Sequence, residues 1–96
     1  MMDSKTRSRL SALAQNIQPI FQIGKNGITD IVIQELDKAL EARELIKVAV
    51  LKNSELEPKE ALRILTQKLQ AQPVSAIGFK ISLYRKSKKD IKHIEV

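Results

Sequence analysis

The feature that most constrains the fold is a four-residue loop, Gly24-Lys25-Asn26-Gly27, which separates two different periodic patterns. Residues 19–23, which precede it, form a short apolar run that is typical of a buried strand. Residues 28–40, which follow it, repeat their apolar positions with a helical period. The sequence therefore predicts a strand, a two-glycine loop that carries one cation, and a helix.

Other loop types fit this stretch poorly. Asn26-Gly27 is a strong hairpin signal, but a hairpin requires period-two alternation after Gly27, and the period there is helical. The triphosphate loop requires G-x-x-x-x-G-K-[ST], and the dinucleotide fingerprint requires a third glycine. A short G-x-x-G turn remains, a loop type that clamps nucleic-acid backbones. Its glycines admit positive φ and close backbone approach, and Lys25 adds a point charge.

Three helices are predicted, over residues 5–17, 30–43 and 58–70. Either Ser4 or Thr6 can cap the first, and its apolar stripe consists of Leu10, Leu13, Ala14 and Ile17. Thr29 is the expected N-cap of the second helix, and Asp30 in its first turn suits the helix dipole. Pro58 is expected at the first position of the third.

The remaining strands are predicted over residues 45–51, 73–77 and 80–85, the last two joined across Gly78-Phe79. The order is α-β-α-β-α-β-β, an α/β (α+β) fold with a four-stranded mixed sheet and three packed helices. Pro73 suggests an edge position for its strand. Residues 1–86 are predicted as a single domain, and residues 87–96 as a basic C-terminal tail that Ile91, Ile94 and Val96 pin to the body.

The charge of the chain points to a polyanionic partner, although a solvated lysine-rich surface would have the same composition. The net charge is +6 over 96 residues, and residues 71–96 hold six cations against two acids. Lys5, Arg7 and Arg9 crowd the first turns of helix 1, where the dipole disfavours cations. These cations either contact a ligand or belong to a basic terminus that frays and has no binding role.

Several separated motifs resemble one family. PIFQIGKNG (residues 19–27), followed by ITD, LDKALEARELIKVAVL (residues 36–51) and AIGFKISLYRK (residues 76–86), is similar to the CRM domain of chloroplast RNA splicing and ribosome maturation, in its stand-alone bacterial YhbY-type form. The resemblance implies a fold similar to the C-terminal domain of the third translation initiation factor. It also implies binding of RNA, either ribosomal RNA or precursors of the large ribosomal subunit during ribosome assembly. Phe79 stands where this resemblance leads us to expect a polar or basic residue.

The resemblance and the charge pattern imply three groups of RNA-binding residues: the glycine loop, the cations of the first helix and the cations of the last strand. They are Gly24, Lys25, Asn26, Gly27, Lys5, Arg7, Arg9, Lys80 and Arg85. With three aromatics, Phe21, Phe79 and Tyr84, we expect recognition of structured RNA through its phosphates, with Tyr84 either packed or stacked on a base. The alternative function is a protein-interaction module for an acidic partner on the ribosome.

No catalytic or metal site is predicted. The chain has no cysteine, and its one histidine, His93, lies in the tail. Glu35, Asp37, Glu41 and Glu44 are interpreted as a solvated helix face rather than a convergent site. We therefore expect a non-enzymatic protein without cofactors, a monomer in the cytoplasm that associates with ribosomes and not with membranes.

Overall fold

The computed structural model describes residues 2–95 and contains the seven predicted elements in the predicted order. They are α1 (Ser4–Ala14), β1 (Phe21–Ile23), α2 (Asp30–Arg43), β2 (Leu45–Val50), α3 (Pro58–Leu69), β3 (Gln72–Ile77) and β4 (Lys80–Tyr84). The strands form one sheet in the order β1-β2-β4-β3. Strands β1 and β2 are parallel, whereas β4 is antiparallel to both of its neighbours. The predicted α+β fold with a mixed four-stranded sheet is confirmed.

The two faces of the sheet carry different helices. The larger core joins buried residues of α2 and α3 to one face of β2 and β4. The smaller cluster joins Leu10 and Ala14 of α1 to Leu45 and Val74 on the opposite face. Alternation along β2 explains both, because Ile46, Val48 and Val50 turn to the α2–α3 side. Lys47 is half-buried on the α1 side, as expected for the single charge in an otherwise apolar strand.

Helix α1 is shorter than predicted and has a different cap. The side chain of Asp3, rather than that of Ser4 or Thr6, accepts a hydrogen bond from the Thr6 N–H at 2.8 Å. This backbone hydrogen bond, followed by the hydroxyl of Thr6, lowers the pKa of the Asp3 carboxyl. The helix ends at Ala14 instead of Ile17, because the chain closes there in turns with i→i+3 bonds. Leu13, predicted to be buried, is 46% exposed.

Strand β3 lies at the edge of the sheet, as Pro73 suggested, and it starts one residue earlier than predicted. Its pairing with β4 shifts register between Pro73 and Ser75. A proline has no N–H to donate to the ladder, so the edge position and the irregular pairing accommodate it. The register shift explains why Val74 and Ser75 both face the α1 side of the sheet.

The prediction that Glu41 and Glu44 lie on a solvated face was wrong. Glu44 is fully buried, with a left-handed φ of 67°, and it links α2 directly to β2. Its carboxylate accepts hydrogen bonds from the Ser87 N–H at 2.7 Å, the Ile94 N–H at 2.7 Å and His93 Nδ1 at 2.6 Å. Burial alone would raise the pKa of the Glu44 carboxyl, but these three donors together lower it.

The segment after β4 is therefore attached to the domain through Glu44. Ser87 is buried, and its hydroxyl donates to the Glu41 carbonyl at 2.6 Å. Of the apolar residues expected to pin the tail, Ile94 packs against the smaller cluster. Ile91 is half-buried, and Val96 lies outside the described residues.

Glu44→Gln should destabilise the protein at neutral pH by about 2 kcal/mol, because charged hydrogen bonds contribute about 1.5–3 kcal/mol. The carboxyl has a lower pKa when folded than its ordinary 4.5, so its contribution is present above that value. It is lost as the pH falls through the folded pKa. The free energy of unfolding, measured by urea denaturation from pH 7 to pH 3, should converge for the two proteins at acid pH. Glu35→Gln, in an exposed pair with Lys38, is the control and should change little.

Candidate nucleic-acid interface

The Gly24-Lys25-Asn26-Gly27 segment forms a tight four-residue turn. The Gly27 N–H donates to the Gly24 carbonyl at 3.0 Å, and Gly27 has a φ of +68°. A Cβ on Gly27 would meet no atom within 4 Å, so this glycine is needed for its backbone conformation and the space beside it is open. A Cβ on Gly24 would lie 3.5 Å from both Leu51 Cδ1 and Asn53 Oδ1, an ordinary contact. The turn is therefore fixed in shape and open to an approaching ligand.

The helix that follows the loop has a conventional N-terminus. Thr29 is the N-cap, as predicted, and its hydroxyl accepts from the Val32 N–H at 3.3 Å. Asp30 lies in the first turn, also as predicted. The Thr29 hydroxyl and the Asp30 carboxylate already offset part of the positive end of the helix dipole. The attraction of the loop for an anion therefore depends chiefly on the exposed Lys25 and its neighbours.

Three turns meet at one end of the sheet, which we call the loop end. It consists of the Gly24–Gly27 turn after β1, residues 51–53 after β2 and the Gly78–Phe79 turn before β4. The Leu51 N–H donates to the Ile23 carbonyl at 2.8 Å, and the Val50 N–H donates to the Phe79 carbonyl at 2.7 Å. Neighbouring strands lie about 4.8 Å apart, so the backbones of β1 and β4 are separated by about 10 Å.

The loop end concentrates positive charge. Lys25, Lys52 and Lys80 are all exposed there. Within the described residues, none of the three ammonium groups has a carboxylate within 4.0 Å. An unpaired lysine on a surface is hydrated and ready to exchange water for a phosphate oxygen.

A groove between α1 and the uncovered part of the sheet continues from the loop end. We call it the α1 groove, and its main cavity measures about 160 Å³, which is room for several waters. Its polar walls come from α1 and from three strands: Ser11, Gln15, Lys47, Ser75, Lys80 and Ser82. Lys80 belongs to both places, so the loop end and the groove form one basic surface.

The three cations of α1 divide between two faces of the helix. Arg7 lies beside Ser11 and Gln15 along the side of α1 that faces Val74, so its side chain extends the α1 groove. Lys5 and Arg9 are exposed four residues apart on the outward side, away from the buried Leu10. Among the α1 cations predicted to bind RNA, Arg7 lies on the same surface as Lys80. Lys5 and Arg9 do not line that surface.

Arg85 has internal partners. Its guanidinium lies 2.9 Å from Asp37 and 3.1 Å from Glu41, and it donates to the Leu69 carbonyl at 2.9 Å. Its side chain is only 18% exposed. Strand β4 runs away from the loop end, so Arg85 and the cations after it lie at the opposite end of the sheet. The structure therefore gives Arg85 a role in holding α2 and α3 to the sheet.

Two basic residues of this surface were not among the predicted site residues. Lys52 follows the central strand by two residues, and the carboxyl ends of parallel strands share one edge of a sheet. That rule would have placed Lys52 beside the glycine loop. Lys47 is the single charge in the apolar run of β2, and the position of α1 on that face of the sheet is not visible in the local pattern.

Metal clusters and membrane-spanning helices are absent from the part of the chain that the structure describes. Residues 2–95 contain no cluster of three or more His, Asp or Glu side chains that could hold a metal ion. None of the described helices is both long and apolar enough to cross a membrane.

The fold and this surface define a class of small α+β domains that present a G-x-x-G turn beside a basic sheet end. Residues 2–85 match the CRS1 / YhbY (CRM) domain. The chain belongs to this family, as its loop and hairpin motifs indicated.

Individual relatives agree with the assignment. "Probable RNA-binding protein YqeI" of Bacillus subtilis is 42% identical, over 100% of this chain and 99% of its own length. An RNA-binding protein of Haemophilus influenzae is 33% identical, over 90% of this chain and 87% of its own. The solution structure of SAV1595 from Staphylococcus aureus is similar with a TM-score of 0.80 and 44% identity, covering 95% of both chains.

Gly27→Ala should destabilise the protein by about 1–2 kcal/mol, because a left-handed φ is unfavourable for a residue with a Cβ. Gly24→Ala should change stability by less than about 0.5 kcal/mol, since its Cβ meets only ordinary contacts. Urea denaturation of both variants measures the difference. Equal losses of stability at the two positions would contradict the conclusion that Gly27, unlike Gly24, is required for its positive φ.

Arg85→Gln should lower the free energy of unfolding by about 2 kcal/mol, because the largely buried Glu41 carboxylate then keeps only its hydrogen bond from the Lys88 N–H and loses its ion pair. Lys86→Gln, at the next and exposed position, is the matched control and should be nearly neutral. Thermal and urea denaturation measure both. A variant of Arg85 as stable as the wild type would remove the structural role assigned to this arginine.

Proposed function

We propose that this protein is a non-catalytic RNA-binding protein that receives an RNA backbone on the loop end and in the α1 groove. We further propose that its RNA is ribosomal, in precursors of the large ribosomal subunit, and that it works in the cytoplasm in association with ribosomes. Lys25 neutralises a phosphate, and the open side of Gly27 lets the backbone approach the turn closely.

One observation carries the proposal: the sheet register brings Lys25, Lys52 and Lys80 to the same end as the G-x-x-G turn. These residues are far apart in sequence, so their convergence is a property of the fold. Unpaired cations along a rigid edge match the repeating charge of a phosphate backbone. The names of the relatives and the RNA-binding character of the CRM domain support the same ligand class.

The surface supports binding rather than catalysis. Lys25 and Lys52 lie in turns, and Lys47 and Lys80 lie on strands. Among the described residues, no hydrogen bond joins a serine of the α1 groove to a basic side chain that could activate it. His93 donates to Glu44 at the opposite end of the sheet, so its ring has a structural partner.

Replacing Lys25 and Lys80 together by glutamine should lower affinity for a ribosomal RNA fragment about tenfold at low salt. If Arg7, Lys25, Lys52 and Lys80 each contact one phosphate of single-stranded RNA, log affinity should fall with log salt at a slope of about −3. The double variant should flatten that slope by about 1.4. Filter binding or fluorescence anisotropy at salt concentrations from about 50 to about 300 mM measures the affinity and its salt slope.

Lys68→Gln is the matched control, because Lys68 is exposed in the last turn of α3, on the other face and at the other end of the sheet. It should retain the wild-type slope. A salt-independent affinity, or equal losses in the two variants, would overturn the assignment of the loop end. Crosslinking in cells followed by RNA sequencing tests whether the bound RNA is ribosomal.

A second candidate function, a protein-interaction module for an acidic partner on the ribosome, is favoured by a separate apolar groove. Leu13, Ile17, Ile20 and Leu45 line it, and Arg43 adds one cation. Ribonuclease treatment of a cell extract distinguishes the two functions. Partners lost after treatment support RNA binding, whereas retained partners support protein contacts.

A further inference from the structure

The tip of the β3–β4 hairpin holds an exposed aromatic ring. Phe79 is 52% exposed and Ile77 is 60% exposed, whereas Ile81 and Leu83 of β4 are buried. The backbone below the ring is held firmly, because the Phe79 carbonyl accepts from the Val50 N–H at 2.7 Å. Gly78 has a φ of +59°, in keeping with glycine at the first position of a two-residue hairpin turn. The ring is thus presented to solvent on a rigid support.

One cation lies over this ring, and another follows Phe79 directly in the chain. Lys52 Nζ lies 5.9 Å from the centroid of the Phe79 ring, within cation–π range, and Lys80 is the next residue along the chain. The G-x-x-G turn lies at the same end of the sheet, two strands away. Lys52 lies over one face of the ring, so the opposite face is the one left for a flat ligand, and the nearby cations suit a ligand that also has an anionic backbone. An unpaired nucleotide has both features.

The other two aromatics have structural surroundings. Phe21 packs against the larger core, and Tyr84 packs against the smaller cluster. Burial and the charge of Glu44 raise the pKa of the Tyr84 hydroxyl, in keeping with the half-buried position of this side chain. Phe79 is therefore the aromatic ring of the described residues that is available to a base.

We propose that Phe79 is a stacking platform for one unpaired nucleobase, with Lys52 and Lys80 contacting the phosphates that flank it. This inference rests on the proposed RNA-binding function and narrows its ligand to RNA with an unpaired nucleotide. In a continuous duplex both faces of each base are stacked on neighbours, so the Phe79 ring has no free base to meet. The loop end then contacts the RNA backbone at the glycine turn and stacks one unpaired base at the hairpin tip.

The test compares an RNA hairpin with an unpaired loop and a fully paired duplex of equal length, using the full chain. Phe79→Ala should weaken binding to the hairpin about 5- to 150-fold, the loss of one stacked base at about 1–3 kcal/mol, and should leave duplex binding within about twofold. Phe79→Trp should retain binding, whereas Phe79→Leu, apolar but without a ring, should be close to alanine. Ile77→Ala is the matched control, because it removes a neighbouring exposed apolar side chain without removing a ring.

A spectroscopic measurement separates stacking from general contact. The fluorescent base 2-aminopurine, placed in the RNA loop, should be quenched when the wild-type protein or Phe79→Trp binds, and not when Phe79→Leu binds at saturating concentration. Equal losses of Phe79→Ala on hairpin and duplex, or wild-type affinity of Phe79→Leu, would overturn the proposal. Urea denaturation confirms that each variant is folded, and exposure of Phe79 predicts unchanged stability.

Failure of this inference is distinguishable from failure of the proposed function. If the Lys25 and Lys80 double variant loses RNA affinity and Phe79→Ala does not, the backbone site stands and the stacking platform is wrong. If neither variant loses affinity, the RNA-binding surface itself is wrong. Loss of a ribonuclease-resistant protein contact in Phe79→Ala, with RNA affinity unchanged, would assign the tip to a protein partner and overturn the stacking role.

Discussion

The pairing of β2 with its two neighbours is the constraint on which the site depends. Strand β2 is parallel to β1 on one side and antiparallel to β4 on the other. In that arrangement the loops after β1 and β2 and the turn before β4 must emerge at one end. A slip of one residue would also turn Lys47 into the core, so the apolar alternation of β2 holds both the fold and the position of the basic surface.

The opposite end of the sheet depends on carboxylates. Glu44 is buried and accepts three hydrogen bonds from the segment after β4, while Glu41 and Asp37 hold the guanidinium of Arg85. Buried charges persist where donors replace the lost water. Asp37, Glu41, Glu44 and the Arg85 guanidinium thus serve stability at this end of the sheet, while Lys25, Lys52 and Lys80 lie unpaired at the loop end.

Much of the fold was predictable because it is written in local patterns. Helical and alternating periods gave all seven elements, Thr29 and Pro58 marked two helix starts, and Pro73 indicated an edge strand. The wrong predictions concern features, such as helix length and side-chain burial, that depend on contacts with residues distant in sequence. Helix α1 ends early and leaves Leu13 exposed, because α1 crosses the sheet and buries only Leu10 and Ala14. Burial of Glu44 requires partners more than forty residues away.

The sequence by itself determined the strand–turn–helix around the G-x-x-G loop, since glycine placement and a change of period are local properties. It also determined the family and the surplus of positive charge. Only the tertiary structure decided which cations act together. Strand register brings Lys52 and Lys80 to the loop, and ion pairs occupy Arg85 far from it. The number of charged residues follows from the sequence, but the contacts that each charged side chain makes depend on packing between segments that are distant in sequence.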